Sequence, residues 1–258
     1  MSAGGTVCLM YHEIQLPGRN LCDSDPGYVK YAVSLTSFRE QMQFLKDSGT
    51  PGINISQLLS SPGNGVALTF DDGCETDLIT ATPLLKELGF RATFYITVGF
   101  LGKRGFMSKQ QVRGLVQSGM EIGCHSLSHP YLTDLDEAGL RREIADAKKQ
   151  LEDISGISIH HYSCPGGRWD ERVVDIARQA GYESIATSEI GLNTPKTNRY
   201  SLARIAVTEE VTLTQFRRLC SGSGLWSKGL KSGGLKIAKR MMGNSAYNRV
   251  RSVLLKDS

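Results

Sequence analysis

Apolar and polar residues follow two distinct periods along this chain. Short, almost wholly apolar runs are separated by longer segments in which apolar residues recur every three or four positions. The short runs predict buried strands, and the longer segments predict amphipathic helices. The seven predicted strands are residues 6–10, 66–70, 92–98, 120–123, 159–163, 184–187 and 203–207.

The predicted helices lie between these strands, and several end at or near a glycine, which readily adopts the left-handed conformation of a helix terminus. Regular alternation of strands and helices favours parallel βα units, so we predict an α/β fold. In such folds the carboxyl ends of the strands share one face, and the loops there carry the chemistry. The predicted helices are residues 38–48, 78–88, 109–117, 134–154 and 171–180.

Polar motifs follow four of the predicted strands. His12 comes after the first, the pair Asp71 and Asp72 after the second, His125 after a third, and the sequence CPGG at residues 164–167 after a fourth. Because the strands are predicted to be parallel, all four motifs are expected on the same face.

The adjacent carboxylates in TFDDG, residues 69–73, allow two interpretations. A strand that ends in a turn needs no chemistry, since Asp and Gly are common turn residues. Alternatively, one carboxylate binds a cation and the other transfers a proton. The sequence HSLSH places His125 and His129 four residues apart, so that both can reach one ion. Two imidazoles and one carboxylate with an open position are typical of catalytic zinc, whereas histidines without a ligand role are the alternative.

Three motifs resemble those of a known family. TFDDG, HSLSH followed by PYLTDL, and YSCPGGRWD are similar to the first three motifs of the polysaccharide deacetylases, carbohydrate esterase family 4, in matching order over roughly residues 6–207. The resemblance implies a distorted (β/α) barrel of about seven parallel strands with catalytic loops at the C-terminal strand ends. It also implies removal of acetyl groups from N-acetylated sugars with a divalent metal. Zn²⁺ is the expected ion, with Co²⁺, Ni²⁺ and Mn²⁺ as alternatives.

The resemblance also implies a role for each motif residue. Asp71 corresponds to the catalytic base, and Asp72, His125 and His129 correspond to the metal ligands. The backbone N–H of Gly166 corresponds to a donor to the oxyanion, although a simple Pro-Gly turn is compatible with the same sequence. A carboxylate that already binds the metal would be a weaker base, which gives a physical reason for two acids.

The chain departs from the family pattern in two places. Many members have an arginine at the start of the third motif that orients the base, whereas Ser163 and Cys164 stand there. Either Arg168 reaches back to replace it, or another residue orients the base. Members also commonly have a late histidine as general acid, but no histidine follows His161. The N-terminal sequence LMYHEI resembles a permuted branch of the family in which the acid comes from the first strand, which implies that His12 is the general acid.

The charge distribution divides the chain. The net charge is +4, yet residues 221–258 contain eight Lys or Arg against Asp257 alone, so residues 1–220 carry the negative balance. We therefore expect a catalytic domain at residues 1–220 and a basic tail at residues 221–258. Apolar and basic residues interleave in the tail, as in an amphipathic helix that contacts a membrane surface. A solvated tail is the alternative. We expect no nucleic-acid partner.

The N-terminus and the cysteines bear on location. The first residues lack a basic leader followed by a long apolar run, and the six cysteines form no CxxC pair. This pattern is typical of reduced thiols and does not predict a disulfide framework or a cysteine zinc site. We expect a cytoplasmic enzyme that acts on a nucleotide-linked or lipid-linked precursor of a surface polysaccharide. An amidase with a non-sugar substrate and a catalytically silent carbohydrate-binding module are the alternatives.

Overall fold

The computed structural model describes residues 5–223 of the 258-residue chain. Within this part the strands are short and the helices lie mainly between them. The strands are β1 Cys8–Tyr11, β2 Ile14–Gln15, β3 Val33–Ser34, β4 Gly52–Ile53, β5 Val66–Phe70, β6 Thr93–Ile96, β7 Glu121–Cys124, β8 His161–Ser163, β9 Ser184–Ala186 and β10 Ile205–Ala206. The α-helices are α1 Pro26–Val29, α2 Leu35–Asp47, α3 Ile55–Ser60, α4 Thr82–Leu88, α5 Lys109–Gln117, α6 Glu137–Arg141, α7 Ala147–Ser155, α8 Glu171–Gln179 and α9 Leu213–Cys220.

The main sheet is parallel and curls into a barrel. Its strand order is β10-β1-β5-β6-β7-β8-β9, and β4 pairs with the beginning of β5. An isolated parallel bridge between Ala186 and Leu202 brings the two edges of this sheet together, through a bond from the Leu202 N–H to the Ile185 carbonyl at 2.9 Å. The predicted α/β barrel of about seven parallel strands is therefore confirmed.

The barrel is stabilised by aromatic and aliphatic side chains that are excluded from solvent. Phe70 stacks on Phe94 with a centroid separation of 4.7 Å and on Tyr11 with a separation of 5.2 Å. Phe38 of α2 contacts Tyr11 and Phe70 edge-on, which joins the first helix layer to the sheet. Full burial of one such side chain contributes about 1.5–3 kcal/mol, so this cluster fixes the strands that carry the site.

Each of the seven predicted strands coincides with an observed one, with shifts of a few residues at the ends. The helix predicted at 109–117 has the predicted bounds, because the Ser108 side chain accepts from the Gln111 N–H and Gln111 returns the bond to the Ser108 N–H. The two-residue strands β2, β3 and β4 were not predicted, since such short elements carry no period.

The single helix predicted at 134–154 is wrong in detail. A 3₁₀ turn occupies Leu132–Asp134, and α6 begins only after Asp136, whose side chain accepts from the Gly139 N–H and caps the helix. A π-helical turn at Arg142–Asp146 then separates α6 from α7. These interruptions position a buried glutamate of the π-helical turn, Glu143, against the histidine loop described below.

The basic tail at residues 221–258 lies almost wholly outside the described residues. Among residues 5–223, no helix combines the length and the apolar character needed to cross a bilayer.

Candidate active site

The carboxyl ends of the central strands hold the predicted polar residues. The Asp71 N–H donates to the Tyr11 carbonyl at 3.0 Å, and the His125 N–H donates to the Ile96 carbonyl at 2.8 Å. Each bond extends the parallel ladder by one residue, so Asp71 and His125 leave the sheet at the same rim. The expected convergence of the motifs on one face is therefore seen in the fold.

Asp72, His125 and His129 form a three-residue cluster at this rim. Asp72 Oδ1 lies 3.6 Å from His125 Nε2 and 3.4 Å from His129 Nε2. The three ligand atoms all lie within 4.8 Å of one another. Asp72 Oδ1 is buried and has no hydrogen-bond partner among the described residues. A carboxylate and two imidazoles around an unsatisfied oxygen fit a divalent ion such as zinc.

His125 is oriented for metal binding by its second ring nitrogen. His125 Nδ1 lies 2.8 Å from the Ser163 carbonyl oxygen, so Nδ1 carries the proton and the Nε2 lone pair faces Asp72. Burial lowers the pKa of His125 to about 3, and it also lowers the pKa of His129. Both rings are thus neutral near pH 7, the form that binds a metal.

The loops around the cluster adopt unusual backbone conformations. Asp72, Ser126 and His129 have φ values of 78°, 70° and 66°, and they are the only non-glycine residues between 5 and 223 with positive φ. Such conformations cost on the order of 1–3 kcal/mol each and persist only when their surroundings fix them. At this rim, the positions of the three side chains are therefore maintained despite an unfavourable backbone conformation.

Glu143 and Ser126 hold the HSLSH loop in this conformation. Glu143 Oε2 accepts from the Leu127 N–H at 3.0 Å and from the Ser128 N–H at 2.8 Å, and Glu143 Oε1 accepts from the Ser128 hydroxyl at 2.6 Å. The Ser126 hydroxyl accepts from the His129 N–H at 2.9 Å. The loop is thus fixed by a buried carboxylate from the neighbouring π-helical turn.

Asp71 does not share the environment of Asp72, because it forms a bidentate ion pair with Arg204. Arg204 Nη1 donates to Asp71 Oδ1 at 2.7 Å and Arg204 Nη2 donates to Asp71 Oδ2 at 2.8 Å, and both side chains are buried. Ser163 bridges the pair: its hydroxyl accepts from Arg204 Nη2 at 2.7 Å and donates to Asp71 Oδ2 at 3.2 Å. Burial alone would raise the pKa of Asp71, but the charge and the hydrogen bonds of Arg204 hold it below its usual range.

The two carboxylates therefore differ in proton affinity. Burial, with the charge of Asp71 adding to it, raises the pKa of Asp72 to about 6. Asp71 therefore stays ionised to lower pH than Asp72, which in the absence of a metal gains a proton in mildly acidic solution. An ionised, unligated carboxylate next to a candidate metal site can accept a proton from water.

Arg168 does not replace the family arginine. Arg168 lies over the ring of Tyr131, 3.7 Å from its centroid, and Arg204 makes the contacts with Asp71. Arg204 was missed because it follows the third motif by about forty residues. One signal was present: a lone arginine in the apolar run at residues 203–207 is expected to have a buried acidic partner.

His12 lies beside this site. Its ring stacks on Tyr31 with a centroid separation of 4.7 Å, and its Nδ1 is buried without a hydrogen-bond partner among the described residues. Burial lowers the pKa of His12, while the nearby charges of Asp72 and Asp71 act in the opposite direction. His161, by contrast, bonds through Nδ1 to the Ser184 hydroxyl at 2.9 Å, where β8 and β9 begin.

Gly166 lies in the 3₁₀ turn Pro165–Gly167 with a φ of 60°. A Cβ at this position would lie 2.6 Å from Tyr131 Cε1. The conformation and the close approach both require glycine. The structure thus explains the residue type, and the role of the Gly166 N–H stays a prediction.

The fold and the site define a class: an α/β barrel with an arginine-paired carboxylate and an Asp-His-His cluster at the carboxyl rim, as in metal-dependent hydrolases. Residues 60–185 match the family model for polysaccharide deacetylase. This segment belongs to the polysaccharide deacetylase family.

Known proteins extend the similarity beyond that segment. The chain is 27% identical over 215 residues to the putative polysaccharide deacetylase YxkH of Bacillus subtilis, covering 81% of this chain and 73% of that protein. It is 24% identical over 200 residues to poly-beta-1,6-N-acetyl-D-glucosamine N-deacetylase of Staphylococcus aureus, covering 70% and 69%. The structure of Streptococcus pyogenes deacetylase PplD in complex with acetate aligns with a TM-score of 0.73 at 24% identity, covering 84% of this chain and 98% of that chain. Placement in the permuted branch stays a prediction.

Proposed function

We propose that this protein is a metal-dependent hydrolase that removes the acetyl group from an N-acetylated sugar of a surface polysaccharide. The observation that carries the proposal is the division of labour between adjacent acids: Arg204 holds Asp71 ionised, while Asp72 joins His125 and His129 in a cluster that fits a divalent ion. Family membership and the names of the relatives support the substrate class.

The cluster would hold the ion through Asp72 Oδ1, His125 Nε2 and His129 Nε2. When bound there, a divalent ion supplies Lewis-acid chemistry, since it lowers the pKa of water and polarises a carbonyl group. Zinc suits this donor set best, and Co²⁺, Ni²⁺ and Mn²⁺ are the alternatives. Ser163 contributes by fixing the tautomer of His125 through its carbonyl oxygen.

Asp71 acts as the base in this proposal. It accepts a proton from water as the water oxygen bonds to the acetyl carbon. Arg204 and Ser163 fix the plane of the carboxylate, so its position does not depend on the substrate. The Gly166 N–H donates to the oxyanion that forms on the acetyl oxygen, and a backbone donor there needs no side chain.

His12 acts as the acid. An amide nitrogen leaves only after it is protonated, and an imidazole is the natural donor near neutral pH. His12 follows β1, the strand paired with the β5 strand that ends at Asp71, and its buried Nδ1 has no partner among the described residues. These features support His12 over His161, whose ring nitrogens bond to serines.

We place the reaction in the cytoplasm, on a nucleotide-linked or lipid-linked precursor. The test is acetate release from a panel of UDP-linked N-acetylhexosamines, lipid-linked N-acetylhexosamines, oligomers of poly-N-acetylglucosamine and a non-sugar acetamide. Release from at least one sugar, absent in a His125→Ala, His129→Ala variant, is the expected result. Preference for the non-sugar acetamide would support the amidase alternative, and no release from any substrate by metal-loaded protein would support the silent module.

The basic tail at residues 221–258 is proposed to bring the enzyme to an anionic membrane surface. Truncation after residue 221 should weaken binding to anionic liposomes and leave activity on a soluble substrate unchanged. Equal liposome binding by the truncated and full chains would show that the tail is solvated and does not contact the membrane.

A further inference from the structure

A second group of metal-ligating side chains lies beside the active site. Glu13, Cys22 and Cys74 bring a carboxylate oxygen and two sulfur atoms within 4.8 Å of one another. The two sulfur atoms are 3.5 Å apart. Two thiolate ligands of a tetrahedral zinc ion, each about 2.3 Å from the metal, lie about 3.8 Å from each other. The observed separation is close to that of two ligands on one ion.

Three separate segments supply this group. Glu13 directly follows His12, Cys22 lies in the segment between β2 and α1, and Cys74 directly follows the TFDDG motif. Cys22 and Cys74 are 52 residues apart in sequence, so no CxxC spacing exists to reveal them. The fold alone brings them together.

The surroundings of the group are rich in electron-donating atoms. Tyr28 Oη lies 3.0 Å from Glu13 Oε2 and 3.2 Å from Cys74 Sγ. The Cys22 thiol donates to the Gly105 carbonyl at 3.1 Å. Neighbouring oxygen and thiol sulfur atoms thus lie within 3.5 Å of one another, in hydrogen bonds that a bound cation would replace.

A buried carboxylate nearby gives independent support. Asp77 is fully buried, and neither of its oxygens has a hydrogen-bond partner among the described residues. Burial raises the pKa of Asp77 well above its usual range, and the nearby acidic groups of Cys22, Asp72 and Glu13 raise it further. A buried carboxylate without a donor is costly, and a cation among these groups would offset that cost.

We propose that Glu13, Cys22 and Cys74 bind a second divalent cation of the borderline-soft class, for which Zn²⁺ is the natural candidate. Thiolate ligands select zinc over magnesium or calcium, and three ligands leave room for one more donor. On binding, each thiol loses its proton to solvent and forms a metal–sulfur bond, while Glu13 binds as the carboxylate. No electron transfer is involved.

The second ion would fix the segments that carry the active-site residues. It would link Glu13, which follows His12, to Cys74, which lies two positions after Asp72. It would also link both residues to the segment that contains Cys22. Because an ion that binds only the folded state stabilises it by mass action, the ion stabilises the rim without touching the substrate. The inference places this ion beside the site of the proposed function but does not depend on that function.

The test uses the full chain with His125→Ala and His129→Ala, so that the Asp-His-His cluster cannot bind. Under a phosphine reductant, which keeps both thiols reduced, Co²⁺ should bind with one equivalent per chain and give a sulfur-to-cobalt charge-transfer band. The band arises only from thiolate ligands. Adding Cys22→Ser should abolish it, whereas the matched control Cys220→Ser, a cysteine of α9, should leave it unchanged.

A second variant protects the test against misfolding. If Cys22→Ser lowers expression, Glu13→Gln keeps both thiols and should weaken Co²⁺ binding at least tenfold while the band remains at saturation. Zinc should also raise the melting temperature of the His125→Ala, His129→Ala protein, and this rise should vanish with Cys22→Ser. Absence of the band in reduced protein, or its persistence with Cys22→Ser, would overturn the proposal. Loss of deacetylase activity alone would not affect it.

Discussion

The two ends of the barrel use the same kinds of side chain for different purposes. At the amino end, Glu121 accepts from the Ile55 N–H at 3.0 Å, and His161 bonds through Nδ1 to Ser184 and through Nε2 to the Ser56 hydroxyl at 3.0 Å. The carboxylate and both ring nitrogens are satisfied by protein atoms. This end is a closed network that joins α3 to the strands.

At the carboxyl end, the acid and the histidines are left partly unsatisfied. Asp72 Oδ1 and His12 Nδ1 are buried without partners among the described residues, and Asp72 and His129 have positive φ. Unpaired buried polar groups and strained backbone both cost free energy, so folding does not account for them. Unsatisfied hydrogen-bonding capacity, more than residue type, therefore separates a candidate functional carboxylate–histidine cluster from a structural one.

The largest expected effect is loss of the metal. The His125→Ala, His129→Ala variant removes two of the three ligands at the open cluster, so it should lose one equivalent of zinc and its activity should fall to background. Elemental analysis of dialysed protein and acetate release measure the two effects. The matched variant at the closed end, His161→Ala, should keep both zinc and activity. Zinc loss in the matched variant would remove the distinction between the ends.

Substitution of the base should come next. Asp71→Asn should lower kcat by about 10²–10⁴-fold while zinc is retained, because a neutral amide cannot accept the proton. Asp72→Asn should lose zinc affinity together with activity. Zinc content and kcat measured on both variants separate the roles. The reverse pattern, with zinc lost only in Asp71→Asn, would mean that the two acids exchange roles.

His12→Gln should lower turnover of an amide by on the order of 10²-fold, because glutamine cannot deliver a proton to the leaving nitrogen. An ester such as 4-nitrophenyl acetate should be affected far less, since its phenolate leaves without a proton. Rates on both substrates, with zinc content as the control for folding, provide the measurement. Equal slowing of amide and ester, or the same pattern in His161→Gln alone, would place the acid elsewhere.

Arg204→Lys should change the pH profile. Lysine keeps the charge but loses the bidentate geometry, so the pKa of Asp71 should rise toward its usual range. Because Asp71 acts when ionised, the acid limb of kcat/KM should move to higher pH, toward the ordinary aspartate pKa of about 3.9. The alkaline limb, assigned to His12, should stay in place. If the alkaline limb moved instead, Arg204 would act on the general acid and not on Asp71.

Arg204→Met offers a stability check on the same pair. It leaves a buried carboxylate without a partner, which typically costs about 3–5 kcal/mol. Denaturant unfolding of the metal-free protein measures this change. A cost well below that range would show that Ser163 and water suffice to satisfy Asp71.

The smallest effects should have opposite signs at the two ends. The pKa of Asp72 is raised to about 6 in the metal-free fold, so the ionised carboxylate destabilises that fold. This unfavourable contribution grows as the pH rises from the pKa that Asp72 has in the unfolded state toward about 6. Asp72→Asn should therefore stabilise the metal-free protein above that pH, by up to about 3 kcal/mol. Burial alone would raise the pKa of Glu121, but the hydrogen bond and charge of His161 and the bonds from Ser56 and Thr93 lower it.

Glu121 thus contributes stability above its unfolded pKa, and this contribution is lost as pH falls. Glu121→Gln should cost about 1–3 kcal/mol at neutral pH, because it leaves donors of the closed network poorly paired. Denaturant unfolding of both variants in a chelator gives the comparison. If both substitutions changed the free energy of unfolding in the same direction, the contrast between the unsatisfied and the satisfied end would be contradicted.

Local pattern was sufficient to predict the strands, and the resemblance of short motifs to a known family was sufficient to select Asp72, His125 and His129, which the fold brings together. Asp72, His125 and His129 each lie within a short motif, and each motif follows an apolar run whose burial is visible in the sequence. Arg204, Glu143 and the pair Cys22–Cys74 act across long separations, and only the curvature of the sheet and the course of the loops decide which side chains meet. Such contacts carry no period, so the sequence did not predict them.

The pairing of Asp71 with Arg204 sets an order of events during synthesis. The two residues are 133 positions apart, so at ribosomal rates of 5–20 residues per second the carboxylate precedes its arginine by roughly 7–27 s. Asp72, His125 and His129 all emerge within that interval. The nascent chain therefore contains all three residues of the Asp-His-His cluster before it contains Arg204. In the proposed mechanism, metal binding can then precede catalytic competence, which arises only when the last strand joins the first.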